Sequence, residues 1–165
     1  MMKRYVLSIL VENRAGVLRR VAGLFSRRNY NIESLTVAET EDEGLSRITA
    51  VVSGDPQVID QIKKQMGKLM EVIRISVLDN QEAVYRELVL IKVHTTRATR
   101  AEIMEIVTIF RAKVVDVDHE SIIVEATGQG SKLEAFINLL KPFGILEMVR
   151  TGLAAMERGG GKLKS

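Results

Sequence analysis

One order of elements occurs twice in this 165-residue chain, and few folds are compatible with it. Residues 5–11 are β-branched and apolar, short enough for a buried strand. Val17, Leu18, Val21, Leu24 and Phe25 then recur on one face of a helix. Strands at 32–39 and 45–53 flank the turn Glu41-Asp42-Glu43-Gly44. Asp55 and Pro56 open a second helix, with Val58, Ile59, Ile62, Met66 and Leu69 along it. Residues 72–78 close the unit as a strand. After a polar connector at 79–86 the pattern begins again, with a strand at 87–93. Thr99 and Glu102 make a capping box, and Ile103, Ile106, Val107 and Phe110 form a helix face. Residues 114–117 and 121–127 read as a hairpin about Asp118-His119-Glu120. Ser131 and Glu134 make another capping box before Leu133, Phe136, Ile137 and Leu140. Lys141-Pro142-Phe143-Gly144 stops that helix, and 145–150 is expected to be the last strand.

Each half therefore reads βαββαβ. Right-handed crossovers turn that order into a four-stranded antiparallel sheet with both helices on one face. The fold class is α+β, with two ferredoxin-like units. A unit of about 75 residues buries only about 60% of its unfolded surface and is marginal alone. The strands carry apolar residues on both sides, so the second face of each sheet needs a cover. Another chain, or edge strands paired across a two-fold axis, is the expected solution.

Composition excludes several classes of function. There is no cysteine, so disulfides and thiolate metal sites are ruled out. The net charge of +3 comes from 24 basic residues set among 21 acidic ones, a weak sign of nucleic-acid binding. No run approaches the roughly 20 apolar residues of a membrane span. The stretch before Glu12 has no cleavage-site pattern, and cytoplasm is the expected compartment. Aromatic residues make up only 4%, so the core must be built from aliphatic residues and Met.

The loop Glu12-Asn13-Arg14-Ala15-Gly16-Val17 joins a strand end to a helix start. The first turn of a helix has backbone N–H groups without intrahelical partners, and with the helix dipole these attract a carboxylate. Gly16 lets a ligand approach with no Cβ in the way. Asn13 offers both a donor and an acceptor. From the residues alone two roles stand side by side. Asn13 is a helix cap and Gly16 a packing glycine, or both belong to a small-molecule seat.

Residues 12–18 resemble the ligand loop of ACT domains, small βαββαβ modules that bind amino acids. Residues 24–37, from Leu24-Phe25-Ser26-Arg27-Arg28-Asn29-Tyr30 through Asn31-Ile32-Glu33-Ser34-Leu35-Thr36-Val37, more closely resemble the small regulatory subunit of acetohydroxyacid (acetolactate) synthase. Residues 86–93 and 150–156 are similar to that family too. The resemblance implies an amino-acid-binding, dimerising ACT domain at 1–79, a ferredoxin-like domain at 80–158 and a flexible tail at 159–165. It implies a ligand site drawn from Asn13, Ala15, Gly16, Val17 and Leu18, with Asn31 and Ile32 reaching it from a neighbouring chain. It also implies a non-catalytic partner of the large subunit, homodimeric through its ACT domains, that activates that subunit and confers feedback inhibition. The effector would be valine, leucine or isoleucine. Thiamine diphosphate, Mg and FAD belong on the large subunit, with no cofactor on this chain. A free-standing amino-acid sensor without an enzyme partner is the alternative. The second half has Val93-His94-Thr95-Thr96-Arg97-Ala98 where the first has its Asn-x-x-Gly, so no ligand site is expected there.

Other chemistry finds little support. His94 and His119 are the only histidines, and neither falls into a metal-ligand spacing. Gly128-Gln129-Gly130-Ser131 lacks the third glycine of a dinucleotide fingerprint and reads as a helix-start turn. Arg14, Arg19, Arg20, Arg27 and Arg28 invite an RNA reading, because RNA-recognition domains share the βαββαβ order. Those domains stack bases on aromatics in the two central strands. Here residues 45–53 have none and Tyr5 is the sole candidate in the first strand.

Overall fold

Hydrophobic period decides the elements, and the computed structural model shows where they lie. It describes residues 3–79, 81–161 and 163. The first half runs β1 (Lys3–Glu12), α1 (Val17–Arg27), β2 (Asn31–Glu39), β3 (Leu45–Gly54), α2 (Pro56–Met66) and β4 (Val72–Leu78). The second runs β5 (Ala83–His94), α3 (Arg100–Ile109), β6 (Lys113–Val117), β7 (Ser121–Gly128), α4 (Gly130–Leu140) and β8 (Ile145–Arg150). The first sheet has the order β2-β3-β1-β4 and the second β6-β7-β5-β8, with the pairs antiparallel. The expected α+β class and the double βαββαβ order both hold.

The chain forms two compact units, Met1–Tyr85 with Leu153–Ser165, and Arg86–Gly152. In the first, Leu7, Ile9 and Val11 of β1 meet Val21, Leu24 and Phe25 of α1 and Ile59, Ile62 and Met66 of α2 in one buried cluster. In the second, Val89, Ile91 and Val93 do the same with Ile103 and Val107 of α3 and Leu133, Phe136 and Leu140 of α4. One helical face per helix is buried, as the periodicity requires.

Both units end their first helix in the same way. After α1, Asn29 sits at φ 55°, Asn29 N–H donates to Ser26 O and Tyr30 N–H to Phe25 O. After α3, Arg111 sits at φ 54°, Arg111 N–H donates to Thr108 O and Ala112 N–H to Val107 O. These are Schellman caps. In the first, Tyr30 also packs edge-on against Phe25, with ring centroids 6.1 Å apart. The cap turns the chain sharply so that β2 begins at Asn31.

Four local expectations are corrected. Neither capping box forms: Thr99 precedes α3 without a side-chain cap, its Oγ1 accepting instead from Thr96 N at 2.9 Å. Helix α4 starts at Gly130 with Gln129 as its N-cap, which places Ser131 inside the helix, and Glu134 is drawn to the Arg150 guanidinium at 2.8 Å. The connector is shorter than expected, since β5 begins at Ala83. A further strand, β9 (Ala154–Glu157), follows β8 and pairs with β5. With it, residues 153–157 join the first compact unit, although the sequence puts them in the second domain. Of the expected tail, Lys162, Lys164 and Ser165 lie outside the described residues.

The cover for the first sheet's second face is therefore partly its own chain. Val6, Val51 and Leu78 on that face pack with Ala83, Tyr85, Leu153 and Ala155. Among the described residues no helix is long and apolar enough to cross a membrane.

Candidate functional site

The loop between β1 and α1 is held from two sides. Glu12 N–H donates to Glu71 O at 2.9 Å, and Asn13 N–H donates to Gly44 O at 2.9 Å. The Asn13 side chain does not cap the helix. Its Nδ2 donates to Glu39 Oε1 at 3.0 Å and to Glu43 O at 2.9 Å, bridging to the β2–β3 hairpin. Gly16 occupies the N-cap position of α1 at φ 87°, in the left-handed region, and there is no side-chain cap. A Cβ added to Gly16 would meet nothing within 4 Å, so the space beside it is open. The glycine is required by its backbone angle and not by close packing.

Such an N-terminus keeps its donors available. Among the described residues, the N–H groups of Ala15, Gly16, Leu18 and Arg19 have no hydrogen-bond acceptor in the loop or hairpin. The first turn of α1 contains no acidic side chain. Two nearby carboxylates are paired with arginines, Glu12 with Arg14 at 2.7 Å and Glu71 with Arg20, while that of Glu39 accepts from the Asn13 amide. An incoming carboxylate would thus meet unsatisfied donors and a positive dipole end, with no acid in the helix's own first turn.

Within a single chain the loop is open on one side. Asn13, Ala15 and Gly16 are exposed, Leu18 is 44% exposed, and only Val17 is buried, with its side chain in the helical core. Asn31 and Ile32 are at the other end of the sheet. Asn31 is in register with Ser53 and Ser53 with Arg4, so Asn13 lies about nine residues farther along, about 30 Å away. The structure brings Asn13, Ala15, Gly16 and Leu18 together and does not bring Asn31 or Ile32 to them within one chain. Residue spacing gave no hint of Glu39, Glu43 or Glu71, which only the tertiary fold delivers to the loop.

The remaining candidates separate cleanly. Tyr5 packs against the core on the helix side of β1, whereas an RNA platform needs the other face, which presents Val6, Ser8 and Leu10. Gly128 to Gly130 is the helix-start turn expected of it. His119 lies in the β6–β7 turn, where its backbone carbonyl accepts from the Arg100 guanidinium at 3.3 Å. Among the described residues no group of three or more His, Asp or Glu is placed to hold a metal ion.

Comparison with known proteins assigns both halves. Residues 7–74 match the model of the AHAS small subunit-like ACT domain, and residues 86–159 match that of the small subunit of acetolactate synthase. The chain belongs to the acetolactate synthase small-subunit family. Relatives in that family include a probable acetolactate synthase small subunit of Archaeoglobus fulgidus, 51% identical over 96% of this chain and 99% of its own. The acetolactate synthase small subunit of Bacillus subtilis is 50% identical over 96% of this chain and 92% of its own. A crystal structure of the acetolactate synthase small subunit from Thermotoga maritima superposes with a TM-score of 0.89 at 46% identity, covering 96% of this chain and 99% of that one. The family's ACT model spans both the Gly16 loop and the Asn31 turn.

Proposed function

We propose that this protein is the non-catalytic regulatory subunit of acetolactate synthase. It docks on the thiamine-diphosphate-dependent large subunit, raises its activity, and makes it sensitive to valine or a related branched-chain amino acid. Membership of the small-subunit family across both halves of the chain carries the reading, and the free donors at Gly16 give it a chemical basis. The effector carboxylate sits on the first turn of α1, and its aliphatic side chain lies along Leu18.

A second copy supplies the missing wall. Strand β2 is at the edge of its sheet, so its outer hydrogen-bonding groups are open to pairing. Antiparallel pairing of two β2 strands about a two-fold axis at Leu35 sets Asn31 of one copy opposite Glu39 of the other. Glu39 is the residue that holds Asn13. This register delivers Asn31 and Ile32 of a second copy to the Gly16 loop, although they are remote within one chain.

For valine to act as a regulator it must bind one state of the complex better than another. A coupling of about 1–3 kcal/mol is typical. Reconstitution tests the proposal. Adding this chain to the acetolactate synthase large subunit of the same organism should raise acetolactate formation, and valine should suppress the gain. A chain that neither co-purifies with the large subunit nor alters its rate would be a free-standing sensor instead.

A further inference from the structure

The face of the first sheet opposite its helices carries a second, separate feature. Its side chains run in rows across the four strands. Leu78, Val6, Val51 and Ser34 form one row, and the apolar cluster with Leu153 and Ala155 covers it. The next row is Ser76, Ser8, Thr49 and Thr36, one hydroxyl from each strand. With strands about 4.8 Å apart, the row spans about 14 Å. A cleft of about 670 Å³ lies over it, walled by Ala154 and Met156 of β9 and bordered by Arg47, Glu41 and Glu157.

Two observations mark the cleft as more than a surface groove. Ser8 is only 1% exposed, yet its Oγ has no hydrogen-bond partner among the described residues. A buried hydroxyl normally finds one, so this one stands ready for an acceptor or donor entering the cleft. The rim carries both signs of charge. Arg47 spends one guanidinium nitrogen on Ala155 O at 3.3 Å and keeps its other donors. Glu41 and Glu157 are in no ion pair among the described residues. A purely anionic or purely cationic ligand would leave one set unmatched, whereas a zwitterion satisfies both. The volume falls within the range of small-molecule sites and has room for a side chain longer than that of valine.

We infer that this cleft is a second ligand site, for an α-amino acid with a long apolar side chain. The ligand carboxylate faces Arg47 and the hydroxyls of Ser8 and Thr49, since Thr36 already donates to Leu153 O at 2.8 Å; the ammonium faces Glu41 and Glu157, and the side chain runs along Leu78 and Met156. None of residues 12–18 lines the cleft; Glu39, which holds Asn13, stands at its edge, and no residue of a second copy is needed to form it.

The test is amide-resolved NMR titration of the full chain with L-methionine, L-leucine and L-phenylalanine, with calorimetry alongside. Saturable shifts at Ser8, Thr49 and Ser76 are expected from at least one of them. Arg47→Met and Thr49→Val should each weaken that binding at least tenfold while thermal unfolding stays cooperative, and Gly16→Asp should change it less than twofold. The N-acetyl form of the bound amino acid, which lacks the ammonium, should also bind at least tenfold more weakly. The inference is overturned if none of the three ligands shifts these amides at millimolar concentration, or if the N-acetyl form binds equally well. Shifts confined to the Gly16 loop and abolished by Gly16→Asp would likewise overturn it, while leaving the regulatory proposal intact.

Discussion

The Asn13 amide nitrogen donates to Glu39 Oε1 at 3.0 Å, across 26 residues of chain, and this contact ties the loop that begins α1 to the end of β2. Together with the bond to Glu43 O it makes Asn13 a strut between the helix entrance and the hairpin. A cap and a strut respond differently to aspartate. Aspartate caps helices about as well as asparagine. As a strut it would lose both donated hydrogen bonds and set a second carboxylate against Glu39. Asn13→Asp should therefore be worse than Asn13→Ala. With both bonds at the surface, Asn13→Ala should cost about 1 kcal/mol. Both variants should weaken effector binding, the aspartate more. Denaturant midpoints and calorimetry with valine decide it, and an Asn13→Asp variant equal to the parent in both would return Asn13 to the role of a cap.

Gly16 makes a complementary case, because its constraint is the backbone and not the space around it. A side chain there has room but must adopt φ 87°. The left-handed conformation costs an L residue roughly 1–2 kcal/mol, with aspartate among the more tolerant. Gly16→Asp should thus remain folded, with about 1 kcal/mol lost. Its carboxylate would take the place of the effector's own. Activation of the large subunit should persist while valine sensitivity disappears. Unchanged inhibition by valine in the reconstituted enzyme would remove the Gly16 loop from the site.

The sheets and helices were legible from the sequence because each buries one apolar face, and burial writes a period into the chain. Val17, Val21, Leu24 and Phe25 are in the core, as their spacing requires, whereas Leu18, read onto the same face, points to solvent. What depends on strand order was not legible. Asn13 and Asn31 belong to one stretch of sequence, and their spacing does not reveal that the order β2-β3-β1-β4 sets them at opposite ends of the sheet. Strand β9 escaped because Ala154-Ala155-Met156-Glu157 is short and small, with one buried residue, Ala155, to mark it. Glu134 looked like half of a capping box, but an arginine from β8 outcompeted the helix end for its carboxylate. Such competition among long-range partners leaves no trace in local spacing.

The two Schellman caps allow a test of how much strain the second unit carries. Asn29 and Arg111 occupy equivalent left-handed positions at φ 55° and 54°. Asparagine tolerates that conformation, while arginine has no local hydrogen bond to offset it. Arg111→Gly should stabilise the second unit by about 0.5–1 kcal/mol, after allowing for glycine's larger unfolded entropy. Asn29→Gly should gain less. The readout is the urea midpoint at constant slope. A loss of stability in Arg111→Gly would mean that the arginine side chain makes a compensating interaction.

Tyr85 gives the first unit a sensitivity to alkaline pH. Burial against Leu78 and Leu153, followed by the nearby Asp79 carboxylate, disfavours the phenolate and raises the pKa of Tyr85 above its ordinary value near 10. Its hydroxyl donates to Leu78 O at 3.0 Å. Below about pH 10 the phenol is neutral in both folded and unfolded chains, so stability does not depend on it. As pH rises from about 10 through the raised folded value, the unfolded chain releases this proton while the folded one holds it, and stability falls. Tyr85→Phe removes the proton and the hydrogen bond together. At pH 8 it should be less stable than the parent by about 1 kcal/mol. That gap should narrow above about pH 10, because only the parent bears the cost of ionising Tyr85. Tyr5 and Tyr30 are common to both proteins and cancel in the difference. Urea midpoints of the pair, measured from about pH 8 to about pH 11, provide the check, and a gap that stays constant across that range would show that Tyr85 ionises as freely in the folded protein as in the unfolded chain.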